Sequence, residues 1–228
     1  MIELAKTPTF SGSTLKIIAI VSMVIDHCAY FLIDNDTLLY NAMRCVGRIA
    51  FPVFALLVAE GFAYTHNRKR YFAQLLVFAV ISEVPWYLLN GADGTHNVMF
   101  TLALGVAALA ILEKMKENGI FCGVAILSIA CFATWSGVDY EWRGILMILV
   151  LNLLRNQNTN LPFPYGRMMQ ILCAFPLMIH YGGIGALLAC SILFLYDGTR
   201  GFIKGDVAKY GFYAFYPAHL AVIYCMLP

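Results

Sequence analysis

Charged side chains are scarce in this sequence. Only 12% of its 228 residues are Asp, Glu, Lys or Arg and 61% are hydrophobic, whereas about a quarter of a soluble domain is charged. This shortage excludes an ordinary soluble fold. The apolar residues form successive blocks long enough to cross about 30 Å of hydrocarbon as helices, and they lack the alternation of an outer-membrane barrel. We therefore predict an all-α, polytopic transmembrane helix bundle that forms one domain over residues 1–228.

Recognisable metal-binding and disulfide patterns are also missing. The seven cysteines show no CxxC or other metal-ligand spacing, and most of them lie in apolar blocks, where a thiol behaves as a small hydrophobe. We expect neither a metal site nor a disulfide framework. The chain also has no clear internal repeat, which argues against a transporter built from two repeated halves.

Nine apolar segments are predicted to be helices. The first is longer than the core of a signal peptide and no small-x-small cleavage site follows it, so we expect it to be retained as a membrane anchor. Pro52 is expected to kink the second helix. The predicted helices are Leu15–Ile33, Cys45–Thr65, Tyr71–Leu89, Asn97–Leu112, Ile120–Trp135, Gly144–Leu154, Met168–His180, Gly183–Tyr196 and Tyr210–Leu227.

The distribution of Lys and Arg predicts the orientation of these helices. If the N-terminus is cytoplasmic, twelve basic residues, Lys6 among them, fall in inner segments. Only Arg44, Arg48 and Arg143 then fall on the outer side. This positive-inside bias supports both the orientation and the odd number of helices, because the loss of one helix would scramble the later loops.

The first helix carries ionisable residues that a membrane span does not need. Asp26 and His27 lie deep in its apolar stretch, and such groups usually mark a functional site because their burial in hydrocarbon is costly. Lys16 precedes His27 by eleven residues, so the two share one helix face about 16 Å apart. Asp26 projects about 100° away from His27 and is therefore not automatically its partner.

Polar residues of other predicted helices fall near the level of His27. By helical rise, His219 lies about 15 Å above Lys209 and Glu83 about 20 Å above Arg70, while Arg48 enters from the outer side. Glu83 and His219 are both candidate partners of His27. Each residue also has a structural interpretation: His219 as an interhelical hydrogen-bonding group, and Arg48 with Glu83 as an ion pair joining two helices.

Seven short motifs are spread over nearly the whole chain. They are Leu15-Lys-(x10)-His27, Gly47-Arg-Ile-Ala-Phe-Pro-Val-Phe54, Glu60-Gly-Phe62, Arg68-Lys-Arg-Tyr71, Asn97-Val-Met-Phe-Thr101, Asp139-Tyr140 with Gly144, and Phe215-Tyr-Pro-Ala-His219-Leu220. In combination they resemble the TraX family of membrane proteins, which is named after a conjugation protein that N-acetylates pilin. It is the combination of motifs that makes this likeness specific.

The resemblance implies an acyl-transfer reaction. The TraX family is similar to the larger superfamily of transmembrane acyltransferases, whose hallmark is a basic residue, ten spacers and a histidine on the first helix, as in Lys16 and His27. The resemblance implies an enzyme of the bacterial cytoplasmic (inner) membrane. This enzyme takes an acetyl or other acyl group from cytosolic acetyl-CoA or another acyl-CoA. The acceptor stays open between a protein N-terminus, such as that of a pilin, a glycan and a small molecule; no nucleic acid is expected.

Roles for the polar residues follow from that implied reaction. His27 is expected to act as general base or to accept the acyl group itself, with Asp26, Glu83 or His219 orienting its imidazole. Arg48 would stabilise negative charge on the thioester oxygen. The coenzyme phosphates would meet a basic surface at the cytosolic face, formed by Lys16, Arg68, Lys69 and Arg70. The alternatives are a small proton-coupled transporter, because buried His, Asp and Glu also form proton relays, and a scaffold for assembling surface structures.

Overall fold

The computed structural model describes residues 9–155 and 164–227. Within these residues every regular secondary-structure element is an α-helix, and the only β-bridges are two isolated pairs. Lys6 and most of the predicted linker between the sixth and seventh helices lie outside the described residues. The helices are α1 (Gly12–Leu32), α2 (Leu38–Gly47), α3 (Ala50–Tyr64), α4 (Arg68–Asn90), α5 (Val98–Lys114), α6 (Gly119–Trp135), α7 (Glu141–Leu153), α8 (Tyr165–Ile179), α9 (Gly183–Phe194) and α10 (Asp206–Met226). The predicted all-α bundle is confirmed.

Polar side chains set several helix starts. Ser11 accepts a hydrogen bond from the backbone N–H of Thr14 and starts α1 three residues before the predicted position. Asn67 and Asn97 cap α4 and α5 in the same way, through bonds to the N–H groups of Arg70 and Met99. These caps satisfy N–H groups that would otherwise lack a partner at a helix end.

The second predicted helix begins earlier than expected and is broken in two. Residues 38–44 were predicted to belong to a polar loop, but α2 begins at Leu38, where Thr37 accepts a hydrogen bond from the N–H of Tyr40. The break falls at Arg48 and Ile49, because Pro52 has no N–H to bond to the carbonyl of residue 48. With α2 and α3 counted as one broken span, the described residues contain the nine predicted helical spans.

Three helical stretches of the described chain are long and apolar enough to cross a bilayer: Gly12–Leu32, Leu38–Tyr64 and Arg68–Asn90. Shorter apolar helices accompany them, among them α6, α8 and α9. The sixth predicted span, α7, has 13 residues and is about 20 Å long. Its Ile145, Met147 and Ile148 are fully buried against the rest of the bundle, so α7 packs as a central core helix.

The connecting segments gather at two opposite ends of the bundle. At one end, the backbone of His96 pairs with residues 137 and 139, and the Tyr181 hydroxyl donates to the carbonyl of Tyr140. At the other end, Phe10 pairs with Tyr196, and Gly12 donates to the carbonyl of Thr199. We call the first the cavity end, because it contains the cavity described below, and the second the basic end. They correspond to the predicted outer and inner sides.

Candidate functional site

A cavity of about 410 Å³ lies at the cavity end of the bundle. Its wall is formed by the last turns of α1, the junction of α2 and α3, the last turn of α4, and the segments around residues 95 and 140. The ionisable or hydrogen-bonding residues in its wall include Asp26, His27, Arg44, Arg48, Asp93, Asp139, Tyr140, Glu141, Arg143, His180 and Tyr181. The cavity therefore brings together charges of both signs around His27.

His27 and His219 form a hydrogen-bonded pair between α1 and α10. Nδ1 of His27 lies 2.7 Å from Nε2 of His219, and the two ring planes are nearly parallel, with their centroids 5.0 Å apart. Nδ1 of His219 lies 3.1 Å from the backbone carbonyl oxygen of Phe215. Of the two predicted candidates for the partner of His27, the structure therefore places His219 in contact with it. His27 lines the cavity, whereas His219 lies behind it and is 7% exposed.

Aromatic rings surround the His27 imidazole on its remaining sides. The ring centroids of Phe31, Trp86 and Tyr216 lie 6.2, 6.4 and 6.2 Å from that of His27. His27 lies five residues before the end of α1, and His219 lies seven before the end of α10. The histidine pair is thus about 8 to 11 Å from the helix ends, in the half of the bundle that lies toward the cavity end.

Asp26 is paired with an arginine rather than with a histidine. Nη1 of Arg44 lies 2.6 Å from Oδ2 of Asp26, and the guanidinium also lies over the ring of Tyr30 at 5.0 Å. Gly47 allows α2 to approach so closely, because a Cβ at that position would lie 2.0 Å from Oδ1 of Asp26. Asp26 was predicted as a residue that orients His27; instead, it joins α1 to α2. No partner for Asp26 could be predicted, because Arg44 lies before the start of the second predicted helix.

Glu83 holds a loop and does not reach His27. Its carboxylate pairs with Nδ1 of His96 in a short contact, and its second oxygen accepts a hydrogen bond from Nδ2 of Asn97 at 2.6 Å. His96 is in turn bound through its backbone to the segment that carries Asp139. Glu83 therefore positions the wall of the cavity, while its neighbour one turn along, Trp86, contacts the His27 ring.

Arg48 lies in the cavity wall at the break between α2 and α3. Its side chain passes directly over Gly185, where a Cβ would come within 2.5 Å of Arg48 Cβ. Among the residues of the described ranges, no carboxylate lies within ion-pair distance of it, and the alternative of an ion pair with Glu83 is not observed. The Arg48 charge thus faces the cavity.

The segment around Asp139 supplies cavity residues that sequence reasoning did not single out as a site. Asp139 matched a family motif, but it was given no role. Burial raises the pKa of the Asp139 carboxyl to about 6, against the opposing effects of the Tyr140 backbone N–H and of the Arg48 charge. Burial also raises the pKa of Tyr181 to about 12. The motif was the only signal for Asp139, because it lies in a turn and shows no helical periodicity.

The predicted phosphate-binding residues lie at the basic end, away from the cavity. Nζ of Lys16 lies 5.6 Å from the centroid of Phe212 on α10, the same helix that His27 contacts through His219. The prediction that Lys16 and His27 share one helix face is therefore confirmed. Arg68 forms an ion pair with Glu113 at 3.2 Å, whereas Lys69 and Arg70 are exposed. On α1, the cavity wall reaches down only to Met23, about 10 Å above Lys16.

A second buried polar cluster lies toward the basic end. Glu60 forms an ion pair with Arg155 at 3.1 Å, and Arg167 donates to Gln170 at 2.6 Å. Glu60 and Arg167 are 7% and 5% exposed. Arg155 also stacks over Tyr64, and Arg167 over Tyr196. Glu60 lies in the last turns of α3, toward the basic end from the level of His27.

Comparison with known proteins identifies relatives of the chain. A family model described as TraX protein matches residues 11–227. A probable fimbrial assembly protein FimC of Dichelobacter nodosus is 30% identical over 94% of this chain and 94% of its own length. Protein TraX of Escherichia coli strain K12 is 31% identical over 61% of this chain and 54% of its own length, and an uncharacterized protein of Rickettsia prowazekii is 27% identical over 69% and 61%. No solved structure matches the chain significantly.

Proposed function

This chain belongs to the TraX family, and on that premise we propose that it is a membrane-embedded acyltransferase. It moves an acetyl or other acyl group from cytosolic acyl-CoA to an amine or hydroxyl acceptor at the outer side of the bacterial cytoplasmic membrane. The acceptor is a protein N-terminus such as that of a pilin, or a glycan, or a small molecule. The observation that carries the proposal is the hydrogen-bond chain that runs from Phe215 through His219 to His27 in the cavity wall.

That hydrogen-bond chain fixes the protonation of both neutral imidazoles. The carbonyl of Phe215 can only accept, so Nδ1 of His219 must donate to it. Nε2 of His219 then carries the lone pair and accepts from Nδ1–H of His27. Nε2 of His27 is left unprotonated, and no partner for it lies within hydrogen-bonding distance in the described part of the chain. A histidine held in this tautomer is a general base.

Transfer through this base proceeds in a balanced sequence. The acceptor X–H gives its proton to Nε2 of His27 while X attacks the carbonyl carbon of the thioester. The C–S bond breaks, and the proton passes from Nε2 to the leaving thiolate, which yields acyl-X and free coenzyme A. Arg48 stabilises the negative charge on the thioester oxygen. In the alternative route, His27 itself becomes acylated and then passes the acyl group to X.

The donor is proposed to enter from the basic end. The coenzyme phosphates meet Lys16 and the cluster of Arg68, Lys69 and Arg70. The thiol arm runs along the face of α1 that carries Lys16 and His27 and that packs on α10. The arm has to pass the stretch of about 10 Å between Lys16 and Met23, where Leu15 and Ala19 are fully buried. This part of the path therefore opens when the donor binds.

Release of free thiol from acetyl-CoA by the purified protein tests the activity. We expect release that is lost in His27→Ala. A proton-coupled transporter or an assembly scaffold would release no thiol, even when the protein is folded and monodisperse in detergent. The transporter alternative would instead give substrate-dependent proton movement in sealed vesicles.

Labelling tests the proposed orientation. In a variant whose native cysteines are replaced, a cysteine at Asp93 in the loop of the cavity end should react with a membrane-impermeant reagent added to spheroplasts. A cysteine at Glu117, in an exposed loop of the basic end, should react only after lysis. The opposite pattern would place the cavity on the cytosolic side and contradict an acceptor site at the outer face.

A further inference from the structure

The turn that carries Asp139 has an unusual backbone. Tyr140 and Glu141 follow one another with φ angles of 63° and 45°, and in the described ranges they are the only residues other than glycine with positive φ. Residues with a Cβ enter this left-handed region at a cost, and they persist there only when the surroundings hold them. Such positions concentrate at functional sites.

Contacts from three directions hold this turn in place. The hydroxyl of Thr101 donates to the carbonyl of Asp139 in a short contact, and that of Tyr181 donates to the carbonyl of Tyr140 at 3.3 Å. The Tyr140 ring stacks on Phe51 with the centroids 3.7 Å apart. A Cβ at Gly144 would lie 2.5 Å from Thr101 and 2.9 Å from Phe51, so the packing leaves no room for a larger residue at this position. The direction of the Asp139 side chain is therefore fixed.

The Asp139 carboxylate has one oxygen to offer to a ligand. Oδ1 accepts the backbone N–H of Tyr140 at 2.9 Å, and no donor reaches Oδ2 among residues 9–155 and 164–227. Two other carboxylates of the cavity wall form ion pairs, Asp26 with Arg44 and Glu141 with Arg143. The second oxygen of Asp26, Oδ1, has no hydrogen-bond partner among the described residues, but it is buried against Gly47. Arg48, which also faces the cavity, is beyond ion-pair distance of Asp139. Asp139 and His27 therefore line one cavity, and each has one atom without a protein partner.

We propose that Asp139 positions the acceptor by accepting a hydrogen bond from a second donor hydrogen of it, while the first is directed at Nε2 of His27. This inference rests on the acyl transfer proposed above. In a primary amine, the second hydrogen is on the same nitrogen; in a diol, it is on the neighbouring hydroxyl. The proton that moves goes to His27 and then to the thiolate. Asp139 takes no proton, so its effect is on which acceptors bind and how they are oriented.

Matched pairs of small acceptors test this assignment. Glycinamide and sarcosinamide differ by one N–H, and ethylene glycol and 2-methoxyethanol differ by one O–H, so each pair contrasts two donor hydrogens with one. With acetyl-CoA as donor, the wild-type protein should favour the two-hydrogen member of the pair it accepts by about ten- to a hundredfold in kcat/KM, because a hydrogen bond to a charged group is lost in the other. Asp139→Asn should remove most of that preference.

The remaining kinetic constants separate positioning from a structural role. Asp139→Asn should lower kcat/KM for the two-hydrogen acceptor while the KM for acetyl-CoA stays unchanged, and Asp36→Asn, a change of an exposed carboxylate at the same end but outside the cavity wall, should behave as wild type in every assay. Equal loss of all activities in Asp139→Asn, an undiminished preference, or a wild-type protein that uses neither pair although it releases thiol would overturn the assignment. A wild-type protein that releases no thiol at all would instead refute the proposed function itself.

Discussion

Two buried polar clusters lie in this bundle, and they are built in opposite ways. Near the basic end, Glu60 and Arg155 neutralise one another, and Arg167 contacts Gln170 and the Tyr196 ring. At the cavity end, no carboxylate lies within ion-pair distance of Arg48 in the described ranges, and the hydrogen-bond chain leaves Nε2 of His27 without a protein partner. The first cluster pairs its charges within the protein, although the buried Nε of Arg167 has no hydrogen-bond partner among the described residues. The second cluster leaves polar atoms in the wall of a cavity.

This difference between the two clusters distinguishes buried polar groups that join helices from polar groups that are left without a protein partner. A buried charge with a well-placed partner joins helices, whereas a polar group left without one in a cavity costs stability unless a ligand or water satisfies it. We therefore expect substitutions in the two clusters to have opposite effects on stability and turnover. Substitutions of Glu60 or Arg155 should lower stability and spare turnover, and substitutions of His27 or Arg48 should lower turnover and spare stability.

The largest expected effect is the loss of the base. His27→Ala should lower acyl transfer by about 10²- to 10⁴-fold, because the proposed reaction then lacks the group that takes the proton of the acceptor. Thiol release from acetyl-CoA measures it, with the melting temperature in detergent as the folding control. His66→Ala, a change of an exposed histidine at the basic end, should have no effect. Near-wild-type transfer by a folded His27→Ala protein would remove His27 from the mechanism.

The complementary prediction concerns Glu60. Glu60→Gln leaves Arg155 buried and without its counter-ion, which should destabilise the protein by about 3 kcal/mol or more and lower its melting temperature by on the order of 10 °C. The thiol release of the folded fraction should not change.

Thermal unfolding followed in parallel with thiol release at a permissive temperature checks this prediction. Glu117→Gln, an exposed change at the same end, should keep the wild-type melting temperature. If Glu60→Gln melted normally but turned over poorly, the basic-end cluster would belong to the reaction, and the contrast between the two clusters would fail.

A smaller effect is expected behind the cavity wall. His219→Phe removes the acceptor for Nδ1–H of His27, so the imidazole can turn or change tautomer, and kcat should fall by about ten- to a hundredfold. The KM for acetyl-CoA should not move. His219→Gln, whose amide oxygen can accept the same hydrogen bond, should recover part of the activity. Equal kcat values for the Phe and Gln variants would show that His219 only fills space.

The sequence predicted the helices better than the site. The spacing of Lys16 and His27 fixed a shared face, and both residues do contact α10. His219 could be named as one of two partners of His27, because helical rise places them at one level. The pairing of Asp26 with Arg44 was missed, because the polar run Asp34-Asn-Asp-Thr37 made the whole segment before Cys45 resemble a loop, whereas Thr37 caps a helix that begins at Leu38.

The cavity wall around Asp139 could not be predicted from the sequence, for a different reason. Its geometry depends on a left-handed turn at Tyr140 and Glu141, which are not residue types that announce positive φ. The contacts that hold the turn come from Thr101, Tyr181 and Phe51, which are distant in the chain. Periodicity reports which face of a helix is buried, and it carries no information about a turn that is stabilised by long-range packing.

The smallest effect is expected at Lys16, where the comparison of the two ends can be sharpened. If Lys16 binds a phosphate of the donor as a point charge, Lys16→Ala should raise the KM for acetyl-CoA by about tenfold, which corresponds to about 1.4 kcal/mol, while kcat falls less. Lys16→Arg should keep much of the affinity. Lys209 is the matched control, because its ammonium lies 5.0 Å from the Tyr210 ring at the same end, much as that of Lys16 lies 5.6 Å from Phe212. Lys209→Ala should leave the KM unchanged, and a titration of acetyl-CoA against all three variants in one detergent preparation makes the comparison. An unaltered KM in Lys16→Ala would mean that Lys16 only anchors its helix at the membrane surface, as other basic residues of that end do.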